Sequence, residues 1–224
     1  MRIRLHRDIQ RLDKSIVSLG TLVEERFRMA VKAIEFRDTD LATRVVEGDL
    51  EIDQREVDLE EECLKILALH QPVADQLRYI VAILKMNNDL ERIGDLAVNI
   101  AKSVPLIAQR SDLQNFFDYS SMAERVQEML EESLDALVNR DLNLAYQVCA
   151  QDDEVDIMKR AMQAQFATQV CNNPVDMEPM IELFLVSRHL ERIADHATNI
   201  AEDVIYMISG AIHRHRGRDY EDIE

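Results

Sequence analysis

The sequence contains no tryptophan, only 5 glycines and only 4 prolines among its 224 residues. So few turn-forming residues argue against an all-β protein, and no stretch alternates polar and apolar residues convincingly, as a half-buried strand does. No apolar run approaches the roughly 18 to 20 residues that span a bilayer, so we expect no membrane insertion. The opening residues, MRIRLHRDIQRLDK, carry charge where a secretory signal needs an apolar segment. These absences predict a soluble, cytoplasmic, all-α protein.

Basic residues are also scarce, because 26 Lys and Arg stand against 43 Asp and Glu, a formal net charge of -17. This balance argues against nucleic acid as a partner, since phosphate binding needs a basic surface. It permits divalent cations and basic protein surfaces. The cysteines are few and lack the CxxC spacing of a zinc or redox site, so we expect reduced, buried thiols at Cys63, Cys149 and Cys171.

Apolar periodicity predicts six long helices with short connections. Their expected spans are 5–36, 38–70, 72–107, 115–139, 141–171 and 174–211. The expected breaks coincide with Arg-Asp pairs at 37–38 and 140–141, with Gln71-Pro72, with Pro105 and with Asn172-Asn173-Pro174. Proline fits the first turn of a helix, where its missing N–H is not needed.

Much of the chain is an internal repeat. LERIGDLAVNIA begins at Leu90 and LERIADHATNIA at Leu190, with nine of twelve positions identical. FRDTDLATRVVEGDLEID, from Phe36, aligns in the same way with NRDLNLAYQVCAQDDEVD, from Asn139. Such a repeat of long helices predicts two repeated three-helix bundles with pseudo-two-fold symmetry. The predicted units are residues 1–110, residues 111–211 and a polar C-terminal tail, 212–224.

Each copy of the repeated phrase places an acidic ribbon along one helix. At 100 degrees per residue, the series Glu-x-x-x-Asp-x-x-x-Asn falls on one side, and apolar or small residues fall on the core side. The ribbons consist of Glu91, Asp95 and Asn99 in the first copy and of Glu191, Asp195 and Asn199 in the second. A solvated surface explains a single ribbon most simply, and a duplicated gene copies its surface too.

A second acidic pair precedes each ribbon, with Asp49 and Asp53 in the first half and Asp152 and Asp156 in the second. A hairpin at Gln71-Pro72 puts Asp53 about 18 residues before the turn and Glu91 about 20 after it, at nearly equal height. Carboxylates at one level repel each other unless they are protonated, solvated or bound to a cation. Oxygen ligands favour Mg²⁺, Mn²⁺, Ca²⁺ or iron. The sequence does not fix the rotation of the two helices, so their acidic faces need not meet.

Signatures of catalysis are missing from the sequence. No Glu is followed three residues later by His, the pattern that carboxylate-bridged di-iron enzymes need. No GxSxG, GxxxxGK[ST] or HExxH occurs. His189 and His196 are expected at the border of the core or at an interface, with His196 a candidate outer ligand.

The paired acidic motifs, the LERIGD and LERIAD phrases and the stretch QPVADQLRYIVAILK resemble the PhoU family over nearly the whole chain. The resemblance implies a cytoplasmic protein of two three-helix bundles, often a homodimer. It implies a negative regulator of phosphate uptake and of phosphate-starvation signalling. It also implies an adaptor that links the phosphate ABC transporter, through its ATPase subunit PstB, to the sensor kinase PhoR.

The resemblance further implies metal sites, of iron, zinc or another metal, on the acidic motifs. Manganese and magnesium suit the same oxygen ligands. The implied ligands are Asp49, Asp53, Glu91, Asp95, Asp152, Asp156, Glu191 and Asp195, with Asn99, Asn199 and His196 as additional candidates. Leu96 stands where the second copy has His196, a position that the family often fills with His. The two metal sites are therefore expected to differ in nuclearity or affinity.

Three hypotheses therefore stand together. The first is a regulatory adaptor without catalytic activity. The second is a carboxylate-bridged metalloenzyme, which needs an open coordination site. The third is a metal-free helical interaction module whose acidic ribbons maintain solubility.

Overall fold

The computed structural model describes residues 2–109, 119–172 and 177–210, and the regular structure in these ranges is entirely helical. The expected all-α fold of two repeated three-helix bundles is confirmed. The helices are α1 (Arg2–Phe36), α2 (Thr39–Glu47), α3 (Asp49–His70), α4 (Asp75–Ala108), α5 (Tyr119–Asn139), α6 (Leu142–Asn172) and α7 (Met177–Ser209).

The two bundles pack side by side through α4 and α7, the helices that carry the repeated phrase. In the first half α1, α2 and α3 pack against α4, and in the second half α5 and α6 pack against α7. A second contact between the halves joins α1 to α5. One continuous hydrophobic core runs through both bundles. The small residues expected to face it are all buried: Gly94, Ala97, Ala101, Ala194, Ala197 and Ala201.

The same local device begins a helix in each half. Arg37 and Arg140 both adopt the left-handed backbone conformation, with φ of 54° and 51°. The aspartate that follows then accepts a hydrogen bond from the first turn of the next helix. Asp38 Oδ1 accepts from the Leu41 N–H at 2.9 Å, and Asp141 Oδ1 accepts from the Leu144 N–H at 3.1 Å. These caps satisfy N–H groups that have no partner within the helix, which explains the two breaks predicted at Arg-Asp.

The second predicted helix, 38–70, is divided at Gly48 into α2 and α3. A Cβ atom on Gly48 would lie 2.5 Å from Arg26 Cζ, so the guanidinium of α1 occupies the space of a side chain. The Arg26 Nη2 atom also lies 3.4 Å from Glu51 Oε2. The apolar pattern continues across this point, and the sequence therefore predicted one helix where two are observed.

Two predictions about prolines are wrong. Pro72 does not begin the third long helix, because α4 starts at Asp75, after Gln71 and Ala74 with φ of 44° and 51°. Pro105 does not end that helix either, since α4 continues to Ala108. A proline inside a helix removes one backbone hydrogen bond. Continued helix keeps two neighbouring apolar side chains, Val104 and Ile107, buried in the core.

Several further expectations concern single sites or segments. Cys63 and Cys149 are buried, as predicted, and burial raises the pKa of Cys63 to about 12. The side chain of Cys171 lies outside the described part of the molecule, as do the predicted boundary at 110/111 and the tail, 212–224. Within the described ranges, no helix combines the length and the apolar character needed to cross a membrane.

Candidate functional site

The first acidic cluster lies between α3 and α4. Gly94 permits the two helices to approach, because a Cβ atom there would lie only 3.0 Å from Ile52 Cδ1 and 3.9 Å from Asp49 Oδ1. This close packing turns the acidic side of α3 towards the ribbon of α4. The structure thus brings together the four carboxylates of the first half: Asp49, Asp53, Glu91 and Asp95.

The carboxylates of the first cluster lie close enough to raise each other's pKa. Burial raises the pKa of Asp49, and the negative charges of Asp53 and Asp95 raise it further. Burial likewise raises the pKa of Glu91, with further contributions from Asp95 and Asp53. A carboxyl group that loses water and gains negative neighbours holds its proton more tightly. The cluster is therefore short of positive charge.

Two basic side chains of α4 partly balance the first cluster: the charge of Lys102 lowers the pKa of Asp49, and Arg92 forms ion pairs. Arg92 Nη1 lies 3.0 Å from Asp95 Oδ2, and Arg92 Nε lies 3.2 Å from Glu91 Oε2. Half of the Arg92 side chain remains exposed, at 50%, so solvent screens these ion pairs. The guanidinium sits at the rim of the cluster.

The second cluster repeats this arrangement between α6 and α7. Burial raises the pKa of Asp152, and the charge of Asp156 adds to the effect. Loss of water raises the pKa of Asp195 to about 6, with Glu191 and Asp152 as the next causes. Asp195 nevertheless reaches solvent at the edge of the helix pair, which weakens the effect of its neighbours on stability.

Basic residues pair with the two remaining carboxylates of the second cluster. Lys159 Nζ contacts Glu191 Oε1, and Arg160 Nη2 lies 3.0 Å from Asp156 Oδ2. Both cations come from α6, whereas Arg92 in the first half comes from α4. The two clusters thus have equivalent carboxylates, but the basic residues that form ion pairs with them come from different helices.

The carboxylate oxygens of both clusters suit a hard cation. Their raised pKa values show that the ionised carboxylates are unfavourable in these surroundings, and a bound cation would stabilise the ionised form. Among the described residues, however, no three His, Cys, Asp or Glu side chains converge closely enough to hold a metal ion. Cation binding therefore requires the acidic side chains to change rotamer and Arg92, Lys159 and Arg160 to release them.

The additional candidate ligands of α7 have a different partner in this structure. His196 Nδ1 lies 2.7 Å from Asp89 Oδ1 on α4, and Asn199 Nδ2 donates to the same oxygen at 3.3 Å. His196 therefore lies at the interface between the halves, one of the two positions expected for it. Its role as a metal ligand stays a prediction. Asn99 accepts a bond from the Ser103 hydroxyl through its backbone carbonyl, at 3.5 Å.

Sequence reasoning missed Asp89, which is mostly buried and links the two repeats. The repeat itself contained a signal. At an offset of 100 residues, Asp89 corresponds to His189 and Leu96 corresponds to His196. Positions 89 and 196 thus hold a carboxylate and a histidine, whereas the related positions, 189 and 96, hold a histidine and a leucine. Which helix would face Asp89 could not be read from this pattern.

Two polar residues beside the first cluster were also missed. Burial raises the pKa of Glu56, with Glu60 and Asp53 as further causes. Asn87 Nδ2 donates to Glu56 Oε1 at 3.1 Å and to the Glu56 backbone carbonyl at 2.9 Å. Glu56 lies about one turn after Asp53 on α3, and Asn87 lies about one turn before Glu91 on α4. The polar contact between these two helices therefore extends beyond the predicted acidic motif.

Together, the fold and the paired clusters define a class: a duplicated helical-bundle protein with one carboxylate cluster in each repeat. The PhoU domain family matches residues 16–104 and 119–204, once in each bundle. The chain therefore belongs to the PhoU family.

Individual relatives agree with this assignment over nearly their full lengths. The chain is 36% identical to the phosphate-specific transport system accessory protein PhoU homolog of Aquifex aeolicus, over 96% of this chain and 97% of the relative. It is also 36% identical to the homolog of Pseudomonas aeruginosa, over 97% and 91% of the two chains.

Solved structures give the same result. The crystal structure of PhoU from Pseudomonas aeruginosa is similar with a TM-score of 0.89 at 34% identity, covering 92% of this chain and 99% of that one. The phosphate transport regulatory protein PhoU from Streptococcus pneumoniae has a TM-score of 0.83 at 27% identity, covering 94% and 98%.

Proposed function

We propose that this protein is a regulatory accessory protein of a phosphate-specific transport system. The observation that supports this proposal is the family match in both bundles, together with relatives of that name that align over nearly the whole chain. Its finer role is that of a cytoplasmic negative regulator of phosphate uptake and of phosphate-starvation signalling. It acts without catalysis, by presenting helical surfaces to other proteins.

In this role the protein links two components of the phosphate system. One is the phosphate ABC transporter, contacted through its ATPase subunit PstB, and the other is the sensor kinase PhoR. The surplus of 17 negative charges suits basic surfaces on such partners. The proposed working form is a homodimer, which light scattering of the purified protein tests directly.

Deletion of the gene in its own host, together with any second family member, tests the regulatory role. We expect phosphate uptake and a starvation-induced promoter to stay active in phosphate-rich medium, and wild-type complementation to restore repression. Normal repression in the deletion strain would contradict the proposal. Retained repression of the promoter with deregulated uptake would separate the transporter branch from the kinase branch.

The two acidic clusters are proposed to bind cations, iron, manganese, magnesium or zinc. The residues that would hold them are those in the clusters: Asp49, Asp53, Glu91 and Asp95, and Asp152, Asp156, Glu191 and Asp195. A bound cation would supply the missing positive charge and fix α3 against α4 and α6 against α7. The metalloenzyme hypothesis receives no separate support, because the sequence offers no Glu-x-x-His pair.

Elemental analysis tests the cation proposal. Wild-type protein is compared with the double variant Asp95→Asn/Asp195→Asn and with a matched control, Asp58→Asn/Asp135→Asn, which removes the same charge at exposed aspartates outside the clusters. We expect metal near whole-number stoichiometry in the wild type and the control and its loss in the cluster variant. Equal metal content in all three proteins, or none after reconstitution, would reject the proposal.

A further inference from the structure

The outer face of α3 carries a row of apolar side chains that nothing in the described molecule covers. Leu50, Val57 and Leu64 follow each other at steps of seven residues and are 75%, 46% and 53% exposed. The opposite face of α3 is buried in the core through Ile52, Leu59, Cys63 and Ile66. Helix α3 is therefore apolar on two opposite sides, and only one of them packs within the bundle.

The spacing of this α3 row suits another helix better than a loop or a flat surface. Seven residues make nearly two helical turns, so the three side chains form a slightly inclined line about 21 Å long. A helix that packs lengthwise against such a line can contact all three side chains, as helices do in coiled coils. Large side chains exposed in an ordered row, rather than singly, mark a surface used for binding.

The charges beside the α3 row indicate which kind of helix fits. Asp53 and Glu60 lie along one side, and neither forms an ion pair with any residue in the described ranges. Asp58 and Glu61 lie along the other side, where Lys65 neutralises Glu61 at 2.9 Å. Flanks of this sign attract a helix whose apolar face is bordered by Lys or Arg. A second copy of this chain would bring the same acidic flanks to the contact, and like charges would oppose it.

The α3 row belongs to one repeat only. At the offset of 103 residues that aligns Asp49 with Asp152, the positions of Leu50, Val57 and Leu64 are taken by Asp153, Arg160 and Ala167 on α6. Simple duplication of the fold therefore does not account for the row of large apolar residues. That row is absent where the same helix geometry and the same acidic cluster recur.

We propose that the outer face of α3 is a docking surface for an amphipathic helix of a partner protein, with its apolar residues at seven-residue spacing and basic residues on both flanks. The helix would lie along Leu50, Val57 and Leu64 and pair its basic side chains with the acids beside the row. The apolar row itself does not depend on the cation proposal, because Leu50, Val57 and Leu64 lie outside the cluster between α3 and α4; of the acids beside the row, only Asp53 also belongs to that cluster. It also stands independently of which protein supplies the helix.

A designed peptide tests the docking surface with the full chain. The probe is a fluorescein-labelled, 21-residue helix with Leu along one face at seven-residue spacing and Lys on both flanks. Two comparison peptides replace every Lys by Glu or scramble the order of the Lys peptide. Fluorescence anisotropy at physiological salt should show binding of the Lys peptide at least about tenfold tighter than binding of either comparison peptide.

Protein variants then locate the binding surface. The pair Val57→Gln/Leu64→Gln should weaken binding at least about tenfold. The control pair Val138→Gln/Ile157→Gln, which changes side chains that are 54% and 61% exposed elsewhere, should leave it unchanged. The pair Glu60→Lys/Glu61→Lys should reverse the preference, so that the Glu peptide binds better than the Lys peptide. This reversal also shows that the variant is folded, since an unfolded chain would gain no new specificity.

Several results would overturn the proposal. They are absence of binding by the Lys peptide, equal binding by the scrambled peptide, or equal losses in the row and control variants. Sedimentation equilibrium that shows a dimer broken by Val57→Gln/Leu64→Gln would assign the α3 row to a second copy instead. Flotation of the wild type, but not of that variant, with neutral phosphatidylcholine vesicles would assign it to a membrane.

Discussion

At the residue scale, Asp195 shows how the fold acts on a single carboxyl group. An isolated aspartate has a pKa near 3.8, and the surroundings of Asp195 raise its pKa to about 6, through loss of water and then through Glu191 and Asp152. Between these two values the folded protein holds a proton that the unfolded chain has released. Without a cation, stability therefore falls as the pH rises through this window.

The variant Asp195→Asn removes this penalty. In the presence of a chelator we expect it to be more stable than the wild type at pH 7.5, by about 1 kcal/mol after allowance for solvent screening. At pH 3.5 the difference should largely vanish, because Asp195 is then mostly protonated in both the folded and the unfolded protein. Urea unfolding across this pH range measures both. A gain that is the same at both pH values, or one shared by Asp135→Asn, would contradict this account.

The contact between His196 and Asp89 gives a second test at this scale. The variant His196→Leu copies the residue found at Leu96 and leaves the mostly buried carboxylate of Asp89 with the Asn199 amide as its one hydrogen-bond donor among the described side chains. We expect a loss of about 1–3 kcal/mol in the free energy of unfolding. The double variant His196→Leu/Asp89→Leu should recover much of it, because neither polar group then remains. Additive losses in the double variant would show that the two residues do not act as a pair.

At the scale of helices, most of the architecture could be predicted. Apolar periodicity and the Arg-Asp pairs predicted where the long helices lie, because the local pattern and the caps at Asp38 and Asp141 favour the same breaks. The division at Gly48 was not predicted, since the apolar pattern continues across it and the close packing of Arg26 from α1 against Gly48 appears only in the folded structure. The acidic clusters followed from distances along a hairpin, whereas the partner of Asp89 depends on how the two repeats rotate against each other.

Gly20 lies at a close approach between α1 and α5. A Cβ atom on Gly20 would lie 2.7 Å from Leu134 Cδ2, too close for two carbon atoms without a shift. We expect Gly20→Val to reduce the free energy of unfolding by about 1–3 kcal/mol through overpacking. Thermal unfolding measures the loss, and Leu134→Ala in the same chain should restore part of it. No rescue by that second change would place the strain elsewhere.

At the scale of the whole molecule, the sequence contains two repeats, but the two bundles share one hydrophobic core. The central helices share apolar packing and several polar contacts. Lys85 Nζ lies 2.9 Å from Asp203 Oδ1, the Ser103 hydroxyl donates to Glu182 Oε2 at 2.7 Å, and His196 meets Asp89. Separation of the bundles would expose this core and break the ion pair between Lys85 and the buried carboxylate of Asp203.

We therefore expect the two bundles to unfold together. Differential scanning calorimetry should show a single transition whose calorimetric and van't Hoff enthalpies agree. The variant Lys85→Met, which removes the ion pair between Lys85 and the buried Asp203, should lower the temperature of the whole transition rather than split off one half. Two resolved transitions in the wild type would show that each bundle is stable alone.

The contact between Asp89 and His196 has a consequence for stoichiometry. A molecule of two equal repeats would look the same after half a turn, and any ligand of its surface could bind in two equivalent orientations. The related positions here hold His189 and Leu96, so the half turn does not reproduce the same chemistry. The two repeats therefore differ in chemistry at related positions, and we expect a protein that recognises residues unique to one repeat to bind once per chain, in a single orientation.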